Sequence, residues 1–343
     1  MVLARSLYGK DKNLLLSQGQ KLKESYICKI QRLGYAGVYI SDSLSDDIEC
    51  ESIISDQLRM SAVSAIKDVF IATSAPGGEE GATPAVTQAR KVVEDLIDEI
   101  LQNRNLMVNM VDLKIFDDYT FYHSVNVAVL SILVGIALGY PRSELYKLGL
   151  GALFHDIGKV FISKELLSKS EPLTSEELEE LRRHPTLGFE YLKAHYDMPS
   201  KSYLGALQHH ERYDGSGYPS RLTGAGISDI GRIIAVADVY DALTSDRPYR
   251  KALLPSDAME YVMGGSGSMF DPEYVEKFTR KVAAYPLGTI VRTSNGMRCI
   301  VVRNYEDCCT RPCLRILEGG KGFLDLRDNP DAMSVTIVSI EKG

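Results

Sequence analysis

The sequence has no C-x-x-C pair, no net positive charge and no apolar run as long as the roughly 20 residues that cross a bilayer. The longest strongly apolar run, Val125 to Leu138, falls short of that span, and the first residues carry no secretory apolar core. A cytoplasmic protein with no membrane partner is therefore expected. Six cysteines, at 28, 50, 299, 308, 309 and 313, then read as reduced thiols, and Cys308-Cys309-x-x-x-Cys313 matches no common zinc spacing. A net charge of −7 argues against a polymeric nucleic-acid partner, because such surfaces neutralise many phosphates with lysine and arginine. It leaves room for a small anionic ligand held by locally placed cations. No segment recurs with a period of about 20–50 residues, which excludes a solenoid.

What is present is ordinary globular material, long enough for one large domain with one or two small ones. Residues 1–50 mix short apolar runs with a helix-like stretch near 22–33 and predict a small α/β unit. Residues 51–110 read as a helical connector, interrupted by a flexible run, SAPGGEEGATP, at 74–84. Helical spacing dominates 111–285, with candidate helices near 121–138, 143–157, 175–195, 201–211, 229–244, 255–263 and 271–279. After Pro286, short β-rich runs at 288–292 and 299–302 flank the turn signal Ser294-Asn295-Gly296, so 286–343 is expected to be a small β-rich appendage. The fold class is mainly α.

The six histidines all fall between 123 and 210. His155-Asp156 ends an apolar helix, with Gly158 as its stop and Lys159 beyond it. By itself the dipeptide says little. The tandem His209-His210, followed by Glu211 and the run Asp214 to Pro219, says more, because buried paired imidazoles have little structural advantage while their neutral nitrogens suit iron, manganese or zinc. Asp238 lies inside the apolar helix from Ile233 to Tyr240, where a carboxylate is costly unless it is paired or coordinates a cation. An ion pair with Arg247 or Arg250 is the plain alternative.

These residues, read together, closely resemble the HD-GYP phosphodiesterases. The pattern is His123, His155-Asp156-x-Gly158-Lys159, His184-Pro185-x-x-Gly188, His209-His210-Glu211-x-x-Asp214-Gly215-x-Gly217-Tyr218-Pro219 and Asp238, then Asp246-Arg247-Pro248-Tyr249-Arg250. The resemblance implies an all-helical, metal-centred HD-type core over 111–285. It implies hydrolysis of cyclic di-GMP to the linear dinucleotide pGpG and, in many members, on to GMP. The metal ligands it implies are His123, His155, Asp156, His184, His209, His210 and Asp238, with Asp156 bridging two divalent ions, iron or manganese. His195 matches no motif position. Members with a third ion carry a glutamate four residues before the first histidine; here Tyr119 stands there, and Asp117 and Asp118 point elsewhere on a helix, so two ions are expected.

The chemistry suits those groups. A phosphodiester repels hydroxide, and two cations both neutralise phosphoryl oxygens and acidify water from a pKa of 15.7 toward about 7. The expected nucleophile is a hydroxide bridging the ions, with Asp156 and Lys159 as the catalytic residues. Lys159, Gly217, Tyr218, Arg247 and Arg250 are expected to bind substrate, and Glu211 and Asp214 to sit behind the ligands, Glu211 by holding an imidazole N–H. Two alternatives stay open: hydrolysis of another cyclic dinucleotide such as cyclic GMP-AMP, or a non-catalytic module that only binds one. A homodimer, or contact with a diguanylate cyclase domain, is equally open.

Overall fold

The computed structural model describes the chain except residues 10–12, 34–37, 46, 49–50, 76–77, 109–118, 170, 246–249, 319–320 and 342–343, and the side chains of 78–83 and 119. Asp117, Asp118, Arg247 and the Tyr119 side chain therefore lie outside the described residues. The N-terminal unit is mixed α/β, as its sequence predicts. In it, β1 (Val2–Leu3), β2 (Leu7–Tyr8), β3 (Leu14–Leu16), α1 (Glu24–Arg32) and β4 (Ile40–Ser41) form two small antiparallel pairs, β1 with β4 and β2 with β3. Leu3, Leu7 and Ile30 make its core.

Two long helices follow, α2 (Asp56–Ser74) and α3 (Gly78–Gln102). The Ser55 hydroxyl starts α2 by accepting from the Leu58 N–H at 3.3 Å. The pair is no loose connector: Ile66, Val69, Val93 and Ile97 are fully buried in the same core as the helices downstream. The run expected to be flexible is largely helical, since α3 begins at Gly78 and carries Pro84 within it. Packing of its apolar stripe outweighs the local cost of that proline.

Besides a short 3-10 turn at Gly224–Gly226, ten further elements complete the helical body among the described residues. They are α4 (Tyr119–Ala137), α5 (Arg142–Leu153), a 3-10 turn (Ile157–Phe161), α6 (Lys164–Leu167), α7 (Ser175–Leu181), α8 (His184–His195), α9 (Ser200–Gln208), α10 (Asp229–Thr244), α11 (Pro255–Gly264) and α12 (Pro272–Lys281). The single helix expected over 175–195 is two helices, with Pro185 in the first turn of the second, where its missing N–H costs nothing. Helix α4 is apolar all round, which marks a central helix, and it packs against α2, α3, α5, α10 and α12. Its window Thr120–Ala137 is long and apolar enough to cross a membrane by composition, longer than the apolar run suggests, but 78% of it is buried inside the protein.

The C-terminal residues form one antiparallel sheet, ordered β8-β7-β6-β5-β9, from β5 (Ile290–Thr293), β6 (Arg298–Arg303), β7 (Cys313–Glu318), β8 (Phe323–Asp325) and β9 (Ile337–Ile340). Val291, Cys299, Val301 and Leu314 fill its inner face. Arg315 on β7 binds Asp47 at 2.6 Å, tying the sheet to the N-terminal unit.

Two close backbone approaches position the histidine-bearing segments. A Cβ on Gly205 of α9 would lie 2.7 Å from the Gly151 carbonyl carbon and oxygen on α5. A Cβ on Gly158 would lie 1.9 Å from the His184 carbonyl oxygen and 2.6 Å from the Gly188 nitrogen on α8. Gly158 is thus required by this tertiary contact rather than as the helix stop its sequence suggests. Alanine at either position is expected to lower stability by about 1–3 kcal/mol, read from denaturant unfolding of each variant, because only backbone could move away. Unchanged midpoints in both would contradict this packing.

Candidate metal centre

Five separate elements deliver the seven expected ligands to one place. His123 projects from the first turns of α4, His155 and Asp156 from the turn after α5, His184 from the first residue of α8, His209 and His210 from the end of α9, and Asp238 from α10. All but His210 are buried. One ligand atom each from Asp156, His184, His209 and His210 lie within 4.8 Å of one another, and so do those of His123, His155 and Asp238.

Asp156 stands between the two groups. Its Oδ2 lies 3.3 Å from His155 Nε2 and 3.7 Å from His123 Nε2, while its Oδ1 lies 3.4 Å from His184 Nε2 and 3.8 Å from His209 Nε2. Asp238 also spans the groups, with Oδ1 3.1 Å from His123 Nε2 and Oδ2 3.9 Å from His210 Nδ1. Among the described residues it forms no ion pair with Arg250, and Arg247, the other partner considered for it, lies outside them. Lys159 Nζ donates to Asp156 Oδ2 at 2.5 Å, on the side of that carboxylate facing His123 and His155.

Backbone and carboxylate partners fix the ring tautomers. Nδ1 of His155, His184 and His209 lies 2.7, 2.7 and 3.0 Å from the carbonyl oxygens of Ala152, Leu181 and Gly205. A carbonyl oxygen only accepts, so each Nδ1 carries the hydrogen and each Nε2 points a lone pair into the cluster. His123 differs: its Nδ1 donates to Asp241 Oδ2 at 2.7 Å, and Asn126 Nδ2 donates to Asp241 Oδ1 at 2.8 Å.

Charge follows position. Burial pushes His184 down to about 4 and His210 to about 3, and pushes His209 down as well, so all three are neutral at pH 7. Burial also opposes charge on His123, but hydrogen bonds to Asp238 and Asp241 outweigh it and raise this ring to about 9. Asp156 and Asp238 stay ionised against the burial penalty. Asp156 is held well down by Lys159, His155 and His184, and Asp238 by His123 and its neighbours.

The donor set fits divalent cations. His155 Nε2 and Asp156 Oδ1 are buried with no hydrogen-bond partner among the described residues, a costly state for polar atoms unless a cation uses them. Imidazole and carboxylate together are ligands for first-row divalent ions.

The loop after the tandem histidines departs from expectation in three places. Glu211 holds no imidazole; its carboxylate accepts from the Ser220 N–H at 2.7 Å and the Leu222 N–H at 3.0 Å, bracing the loop instead. Asp214 is exposed and accepts from the Ser216 N–H at 2.8 Å in a local turn, remote in role from the ligands. Gly217 packs on its own chain, where a Cβ would lie 2.3 Å from the Arg212 nitrogen, so the close approach it permits is to backbone. Tyr218 does reach the centre: its ring stacks on His210 with centroids 4.8 Å apart, and burial, then Asp238 and Asp156, keep its phenol protonated. Arg250 donates to the Ala242 carbonyl oxygen at 2.5 Å, at the C-terminal end of α10. His195 packs against Tyr191 in a tilted arrangement with ring centroids 4.7 Å apart and is absent from both ligand groups.

Two residues went unread in the sequence. Asp241 is a second carboxylate in the apolar helix α10, one turn after Asp238, and that repetition was its signal. Arg182 places its guanidinium 5.3 Å from the centre of the Tyr218 ring, at the exposed rim beside His210. An arginine two residues before His184 carries no signal without the fold.

The HD domain family model matches residues 96–274, which hold every residue of the cluster. A Pseudomonas aeruginosa protein named as a cyclic di-GMP phosphodiesterase is 31% identical over 274 residues, covering 80% of this chain and 64% of that protein. A Thermotoga maritima protein of the same name is 35% identical over 188 residues, covering 54% of this chain and 50% of that protein. A Vibrio cholerae protein named as a 3′3′-cGAMP-specific phosphodiesterase is 40% identical over 163 residues, covering 48% and 37%. The chain thus spans less than two thirds of each of these curated relatives. With the family match extending over more than half of the 343 residues and the histidines and aspartates gathered as described, the chain belongs to the HD domain family.

Proposed function

We propose that this chain hydrolyses the phosphodiester bonds of cyclic di-GMP to pGpG, and on to GMP, with two divalent cations, iron or manganese, held by the seven ligands. The observation that carries this reading is Asp156, which offers one oxygen to each of two imidazole groups. His123, His155 and Asp238 would hold one cation and His184, His209 and His210 the other. Bound there, the pair supplies acidified water and neutralises phosphoryl oxygens.

The chain's own groups complete the site. Lys159, part-exposed beside Asp156, would reach a non-bridging phosphate oxygen of the substrate. Tyr218, kept protonated, is a hydrogen-bond donor at the rim. Arg182, packed on the Tyr218 ring, offers a cation toward the second phosphate in place of Arg250 and alongside Arg247, which lies outside the described residues. Arg250 is occupied at the end of α10, which supports the move to Arg182. Cyclic GMP-AMP is the second reading, favoured by the similarity to the Vibrio cholerae protein so named.

Three outcomes are expected. Chelation of the purified protein abolishes hydrolysis of cyclic di-GMP and added Mn²⁺ or Fe²⁺ restores it under anaerobic conditions; full activity after chelation would contradict the reading. In a panel of cyclic dinucleotides, cyclic di-GMP gives the highest kcat/KM, and faster cleavage of cyclic GMP-AMP would hand the site to the second reading. Lys159→Met lowers kcat by about 10²–10³-fold, the loss typical of one charge-stabilising donor.

The pH dependence has a definite sign. His123, raised to about 9, is protonated at pH 7 and must lose that proton to bind a cation. Cation affinity is therefore expected to rise with pH up to about 9 and then level off, while His184 and His210, already neutral, contribute no slope in that range. Calorimetry at pH 7 in buffers of different ionisation enthalpy checks this, with about one proton released per first cation bound. Binding without proton release would contradict it.

A further inference from the structure

The partners of the imidazoles divide the cluster unevenly. His155, His184 and His209 lean on neutral backbone carbonyls, whereas His123 leans on the carboxylate of Asp241, which is fully buried and held in place by Asn126. Asp156 is shared between the two groups, and Asp238 lies closer to His123 than to His210, at 3.1 against 3.9 Å. Asp241 touches His123 and lies behind that group. A buried negative charge one ring away makes the far nitrogen a stronger donor and lowers the energy of a cation there, and little solvent is present to screen it.

We infer that the centre holds two unequal cation sites, and that Asp241, a positioning residue acting through His123, makes the His123, His155 and Asp238 site the tighter. The inference rests on the two-cation reading above. Lys159 opposes it by lying on Asp156 Oδ2, but that side chain is 29% exposed and its charge also bears on His184 and His210. Asp241 is enclosed and bears on one group. The seven ligands alone do not specify this ranking: the other group has three imidazoles against two.

The test is an anaerobic titration of Mn²⁺ alone into the metal-free 343-residue chain at about pH 9, where the proton that Asp241 helps to hold on His123 competes least, followed by the electron paramagnetic resonance signal of the free ion. Two ions per chain with unequal Kd are expected. Asp241→Asn weakens the tighter by about 10–100-fold and leaves the weaker within about threefold. Asn126→Ala, which keeps the Asp241 charge but removes one of its tethers, weakens the same site by a smaller factor, and it serves where Asp241→Asn does not fold. If two ions bind and either folded variant shifts both equally, shifts only the weaker, or shifts neither, the inference fails while the two-cation reading survives. A total of one ion per chain in the unaltered protein overturns both.

Discussion

A carboxylate buried to 1% exposure at the convergence of four histidines is the constraint on which the rest of this structure depends. Left alone, such a charge would take up a proton or disrupt the core around it. Asp156 instead stays ionised because Lys159 and the surrounding rings favour its charge, and its two oxygens face opposite ways. Neighbouring elements have to be placed so that imidazole nitrogens meet each oxygen. Helices α4, α5, α8, α9 and α10 converge there for that reason, and the apolar all-round surface of α4 makes a rigid post for His123.

The convergence is enforced by contacts that tolerate no side chain. Gly205 lies on Gly151, setting α9 on α5, and Gly158 lies on the first turn of α8, setting Asp156 beside His184. These are backbone contacts, so they define distances more sharply than side-chain packing does. The loop after His210 is governed the same way, by Gly217 against Arg212 and by the Glu211 carboxylate gripping two amides. It presents Tyr218 to His210 as part of a fixed surface.

The gathering of these histidines and aspartates was legible in the sequence because histidine is scarce here and its occurrences cluster in the order of a known pattern. The helical body and the two small flanking units were legible from periodicity. What failed did so for physical reasons. Glu211 and Asp214 were placed behind the metal ligands because they follow the tandem histidines, yet the chain turns sharply after His210 and sends both toward loop amides. Gly158 looked like a helix stop because its true partner is distant in sequence. Residues 78–84 looked like a loop because composition outweighs helix signal locally, whereas the downstream stripe of α3 holds them helical. Asp241 repeats Asp238 one turn later in an apolar helix, a signal easily overlooked among 46 acidic residues because its partner, His123, lies on another helix.

Anomalous diffraction from crystals of protein loaded with Mn²⁺ or Fe²⁺ is the most direct test of the central claim. Two peaks are expected per chain, one at each oxygen of Asp156, with His123, His155 and Asp238 around the first and His184, His209 and His210 around the second. A single peak, or peaks away from Asp156, would contradict it.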